Sequence, residues 1–214
     1  ILRINSPGGS PVQAGQINDE VHRLREKHPT IPVHAVVSDL CASGGYYVAV
    51  AAEAIHVDKA SLIGSIGVRI DAFGFQQAIE ELGIERRLLT AGANKGILDP
   101  FSPMPETQKV FLQSQLDQLH QQFIGVVKAG RGDKLKGGEE IFSGLFWNGE
   151  DSLELGLADQ LGSTESVARD VIGAEKIVEF TAKKDLFERL ANRMGTAMVN
   201  SFLELAGGAY PMAR

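Results

Sequence analysis

Apolar and polar positions alternate in short blocks along this chain, and glycine or proline closes most blocks. Ile1, Leu2 and Ile4 mark a strand over residues 1–5, ended by the turn Ser6-Pro7-Gly8-Gly9. Ser10-Pro11 opens a helix with Val12, Ile17, Val21 and Leu24 as its apolar face, and His28-Pro29 closes it. A second strand is read over 33–38, a helix over 44–53 and a short strand over 54–58. Residues 62–68 hold the glycine-rich turn IGSIGV, followed by a helix over 73–82 and a strand over 85–90. The segment AGANKGILDPFSPMP, 91–105, reads as a loop, and a long helix follows over 106–128. Residues 130–138 form a polar loop whose Arg-Gly-Asp reads as a solvated turn. A strand and a helix share 142–156, and 167–172 and 176–180 continue the alternation. Leu186, Leu190, Met194, Met198 and Phe202 recur near helical spacing, so the C-terminal stretch reads as an amphipathic helix. The pattern predicts an α/β domain with parallel crossovers over 1–180 and a helical extension over 181–214.

Composition narrows the function. Of 214 residues, 43 % are apolar and 22 % charged, an ordinary globular balance with enough chain for a sizeable core. A net charge of −6 argues against nucleic acid as a partner. The single cysteine, Cys41, excludes an internal disulfide. No segment reaches the roughly 18 apolar residues a membrane span requires. The chain opens with a strand already in progress, so it is expected to be a fragment of a protein with an upstream segment.

The stretch CASGGYYVAVAA, residues 41–52, places Ser43 where a buried strand meets a helix. That junction lifts a side chain to the carboxyl edge of a sheet, where α/β sites lie. Free amides at the helix start suit an oxyanion. The competing reading is that Ser43 simply caps the helix. The strand before Ser6-Pro7-Gly8-Gly9 also ends in unobstructed amides, so Gly9 could pair with Gly44 around an oxyanion, or the turn could be only a turn. None of the five histidines, His22, His28, His34, His56 and His120, has a loop or glycine-framed setting, and each reads as a surface or core residue. No cluster has metal-ligand spacing. Lys95 sits among Gly92, Ala93, Asn94, Gly96, Ile97 and Leu98, mostly small or apolar, with Asp99 the nearest acid. A lysine acts as a base only when neutral, which needs desolvation of this kind; a mobile surface lysine is the alternative. Ile97, Leu98, Phe101, Tyr46 and Tyr47 could line pockets for an extended apolar peptide, with core packing equally open for the two tyrosines. Cys41 is a minor rival nucleophile, expected to be buried and inert.

Taken together, NSPGG, CASGGYYVAVAA, GSIGV and TAGANKG resemble the signal peptide peptidase A family of serine–lysine peptidases, in its half-length, single-domain form. The likeness runs over roughly residues 1–160 and includes the spacing from Ser43 to Lys95. It implies a fold similar to the Clp protease and crotonase folds, with repeated ββα units around a central sheet. It implies Ser43 as nucleophile, Lys95 as general base, Ser65 as the residue orienting the lysine, and Gly9 and Gly44 as oxyanion donors. Clp-type peptidases share the SPGG turn but use a histidine where this chain has Val68, which favours lysine as the base. The resemblance implies no cofactor and no metal. Expected substrates are unfolded or apolar peptides such as cleaved signal peptides. The expected setting is the cytoplasmic membrane, with the catalytic domain outside the cytosol and membrane association through the upstream segment. Family members form homo-oligomeric rings, so sites near subunit boundaries are expected. Two other readings stand beside this one: a crotonase-like enzyme acting on acyl-CoA, and a catalytically silent, membrane-associated scaffold.

Overall fold

The computed structural model describes residues 1–181. The amphipathic helix expected from the C-terminal spacing lies outside the described residues. Two compact units divide the chain, Ile1–Glu175 and Lys176–Arg214, and residues 176–181 of the second carry no helix or strand.

The first unit is a mixed α/β structure around a six-stranded sheet. Strand β1 (Leu2–Ser6) runs parallel to β2 (His34–Ala42), the central and longest strand. β2 is buried over residues 35–37 and again at Cys41 and Ala42, as befits a central parallel strand, with Ser38 and the exposed Asp39 interrupting it. β3 (Ala54–Val57) pairs with the first half of β2, and β4 (Leu62–Gly64) with its last residues, both parallel. β6 (Gln160–Leu161) adds in parallel to β3, and β5 (Phe146–Trp147) pairs antiparallel with β4. The expected parallel crossovers are therefore present. Beneath them lies a core of Ile4, Val37, Val50, Ile55, Ile63, Phe123 and Val127, among others.

Helix α1 (Pro11–Lys27) is capped as its sequence indicates, with Ser10 accepting from the Gln13 amide and proline in the first turn. Its inward face is only partly the expected one, sharing Val21 with it. Ala14, Asn18 and Val21 are buried, whereas Val12 and Ile17 are 66 % and 50 % exposed. Asn18 turns inward because its side-chain amide donates to the Tyr47 carbonyl at 2.8 Å. α2 (Gly44–Ala49) is shorter than expected, because the Glu53 amide turns away to the Val33 carbonyl.

The strand expected over 85–90 does not form. Among the described residues nothing pairs with it, and Ile84, Leu88 and Leu89 are exposed. It belongs to an arm, residues 69–104, that contains only the short helix α3 (Gln76–Glu81). Ring contacts among Phe73, Phe75 and Phe101 and the Arg86–Asp99 ion pair tie the arm together.

Helix α4 (Glu106–Arg131) buries Phe123, Ile124 and Val127 in its second half. Gly130 lets it cross the end of α2, since a Cβ there would stand 2.3 Å from the Val50 carbonyl oxygen. Gly132 and Asp133 of the Arg-Gly-Asp sequence form an exposed turn as expected, but its arginine is not solvated. Arg131 ends α4 with its side chain 2 % exposed, bonded to the Asp159 carboxylate at 2.7 Å and to the Gly156 carbonyl. α5 (Gly149–Glu154) and a last helical run, Thr164–Ser166 continuing through Val167–Ile172, complete the unit.

Burial raises the Asp159 carboxyl, but hydrogen bonds from Arg131, Lys134 and the Ile55 amide outweigh it and hold the group down at about 2. Its contribution to stability is complete above the unfolded value of about 4 and is lost as pH falls through about 2. Arg131→Met leaves this carboxylate with Lys134 and the Ile55 amide. The change is expected to cost about 3 kcal/mol, the lower end for a broken buried pair, read as a lowered urea midpoint with unchanged slope.

Candidate active site

Ser43 occupies the turn from β2 into α2 with φ 52° and ψ −121°. A non-glycine residue with positive φ carries strain of about 1–3 kcal/mol, and such strain persists only where neighbours enforce it. Here the Ser43 amide donates to the Gly64 carbonyl at 2.8 Å, and the Ser43 carbonyl accepts from the Tyr47 amide at 2.9 Å. The hydroxyl makes no capping hydrogen bond, so the simple helix-cap reading fails. The backbone is fixed by two bonds and the side chain is left for other use.

Gly8 and Gly9 lie against this turn. A Cβ on Gly8, whose φ is 98°, would meet the Gly44 amide nitrogen and the Ser43 Cβ at 2.7 Å, so only glycine fits. A Cβ on Gly44 would stand 3.2 Å from the Gly9 nitrogen. Among the described residues neither the Gly9 nor the Gly44 amide has an acceptor in the protein. Two free amides therefore lie close together beside the Ser43 hydroxyl.

Ser65 stands on the adjoining loop, again with positive φ, 51°. Its amide donates to the Leu145 carbonyl at 2.6 Å. Ser43, Ser65, Gly9 and Gly44 all line one cavity of about 890 Å³. Its apolar wall comes from Val12, Tyr47, Leu119 and Phe123, with the Tyr47 and Phe123 rings 5.0 Å apart between centroids. The α4 residues and the Ser143-Gly144 turn were not visible as site residues in the sequence. The buried half-stripe at the end of α4 was the one available signal.

Four of the five expected site residues thus come together. The fifth, Lys95, does not join them within this chain. It is exposed in a turn of the arm and is not among the cavity-lining residues. Among the described residues its ammonium makes no ion pair, because Asp99 is taken by Arg86 and Ser102. Ile97, Leu98 and Phe101 also lie on the arm, away from the cavity lining. Tyr47 lines the cavity as expected, but Tyr46 is fully buried and donates its hydroxyl to the Leu157 carbonyl at 2.8 Å. Cys41 is fully buried, and desolvation pushes its thiol up to about 12, which leaves it inert as a nucleophile.

None of the five histidines is among the cavity-lining residues. His34 and His56 are buried against each other with ring nitrogens 3.0 Å apart, and burial followed by the neighbouring His34 lowers His56 from its usual range. His120 bonds the Ile66 carbonyl. No group of three or more potential metal ligands gathers among the described residues.

Comparison with known proteins gives a family. Residues 25–178 match the model described as peptidase family S49. A Na(+)/H(+) antiporter NhaA of Brucella abortus is 42 % identical over 172 residues, covering 80 % of this chain and 23 % of that protein. A protein of Methanocaldococcus jannaschii with a provisional protease name is 31 % identical over 185 residues, 84 % of this chain and 58 % of that one. The chloroplastic serine protease SPPA of Arabidopsis thaliana is 32 % identical over 163 residues, 76 % of this chain and 24 % of that one. The chain thus spans between about a quarter and somewhat over half the length of these relatives. No helix among the described residues is long and apolar enough to cross a membrane.

Proposed function

Because the chain belongs to peptidase family S49, we propose that it is a serine peptidase in which Ser43 is the nucleophile and Lys95 the general base. The observation that carries this reading is Ser43 itself: a strained junction serine, not used as a cap, beside two amides with no acceptor. Neutral Lys95 takes the Ser43 proton, and Oγ attacks the peptide carbonyl. The oxyanion accepts from the Gly9 and Gly44 amides. The Lys95 ammonium then protonates the leaving amine, and water resolves the acyl-enzyme. Ser65 orients the lysine.

Lys95 reaches a Ser43 in a neighbouring copy of the chain rather than its own. Its exposure on an arm with Phe73 76 % and Leu89 96 % exposed supports this, since a second copy would cover both the apolar residues and the lysine. A closed homo-oligomeric ring repeats the arrangement at every boundary.

The apolar cavity wall suits unfolded or apolar peptides, cleaved signal peptides among them. Attachment to the cytoplasmic membrane through an upstream segment, with the catalytic domain on the outer side, is the setting that fits such substrates. A fluorogenic peptide with leucine or phenylalanine before the scissile bond should be cleaved by the wild type, and neither Ser43→Ala nor Lys95→Ala should cleave it. Full turnover by Lys95→Ala would argue against a lysine base.

A further inference from the structure

We propose that His120 is a positioning residue that holds the Ser65 loop in its working form. The inference rests on the reading of Ser43 and Ser65 as parts of one peptidase site.

His120 sits one turn before Phe123 on α4, half-buried where the helix passes the loop that follows β4. Its Nε2 lies 3.1 Å from the Ile66 carbonyl oxygen. A carbonyl only accepts, so Nε2 carries the proton and donates. Ile66 also buries its side chain completely.

The loop needs this anchor. Gly64 and Ser65 both have positive φ, 114° and 51°, and the Gly64 carbonyl is the acceptor for the Ser43 amide. Ser65 is pinned on its amide side by the Leu145 carbonyl. Beyond that point support thins out. Among the described residues, the bond from His120 is the one hydrogen bond made by the backbone of residues 66–72. Those residues lead directly from Ser65 into the arm that carries Lys95. One imidazole thus fixes the far side of a strained serine and the point where the arm leaves the body.

A side chain two bonds removed from the chemistry acts through geometry, and misplacement of about 1 Å can cost 10²-fold in rate. His120→Leu removes the donor, and His120→Gln keeps an N–H at comparable reach. The leucine variant is expected to lose about 10- to 100-fold in kcat with KM changed less than about 3-fold. The glutamine variant is expected to stay within about 3-fold of wild type. In parallel, exchange of the Ser65 amide with solvent should quicken in His120→Leu and stay at the wild-type rate in His120→Gln. Equal kcat for wild type and the leucine variant, or equal losses in both variants, would overturn the proposal. A wild type without peptidase activity would defeat the functional reading. The Ser65 amide would still decide the anchoring, because unaltered exchange in His120→Leu overturns it and faster exchange supports it.

Discussion

Ser43→Ala is expected to lower peptidase kcat by about 10⁴-fold or more, with the fold intact. No other residue at this junction can replace the hydroxyl. Cys41 is fully buried with its thiol pushed up to about 12, and Ser65 has its own loop geometry. Alanine also keeps a Cβ at φ 52°, so it retains the strain, and stability should match wild type. Ser43→Gly separates the two effects. Glycine accepts that backbone without penalty, so this variant should be equally inactive yet more stable by about 1 kcal/mol. A thermal shift upward together with lost turnover would mark the strain as a cost kept for function. A Ser43→Gly protein less stable than Ser43→Ala would mean that the junction is held by contacts of the side chain instead.

The second large effect concerns Lys95. Lys95→Ala alone should be as inactive as Ser43→Ala. Co-expressed in equal amounts, the two inactive chains are expected to recover about a quarter of wild-type activity. In a ring where each site takes its serine from one copy and its lysine from the next, one boundary in four joins two intact residues. If each chain supplies both residues to its own site, every mixed site lacks one of them and the mixture stays inactive. The exposed apolar residues of the arm give an independent handle. Leu89→Asp should shift the protein toward smaller species in sedimentation and lower activity in parallel.

Local signals carried most of what the sequence revealed. The SPGG turn, the Ser10-Pro11 helix start and the SGG junction each depend on residues adjacent in the chain, and each took its expected form. The errors came where the deciding partner is distant. Asn18 turned inward because of a carbonyl 29 positions away. Arg131 is buried because Asp159 is waiting for it, 28 positions on. Residues 85–90 read as a strand, but a strand requires a neighbour, and among the described residues the sheet offers none there. His120 looked like an ordinary helical residue, since nothing in its own segment indicates the Ile66 carbonyl 54 positions earlier. Lys95 shows the same limit at a larger scale: its small neighbours suggested a dry pocket, and within one chain it is exposed.

The most direct test of the central claim is covalent. A fluorophosphonate loses fluoride to an activated serine oxygen and leaves a stable phosphonyl ester, so intact mass and peptide mapping identify the nucleophile. One adduct per chain on Ser43, absent in Ser43→Ala and formed much more slowly in Lys95→Ala, is the expected result. An adduct on another residue, or none on a protein that still cleaves peptides, would contradict Ser43 as the nucleophile.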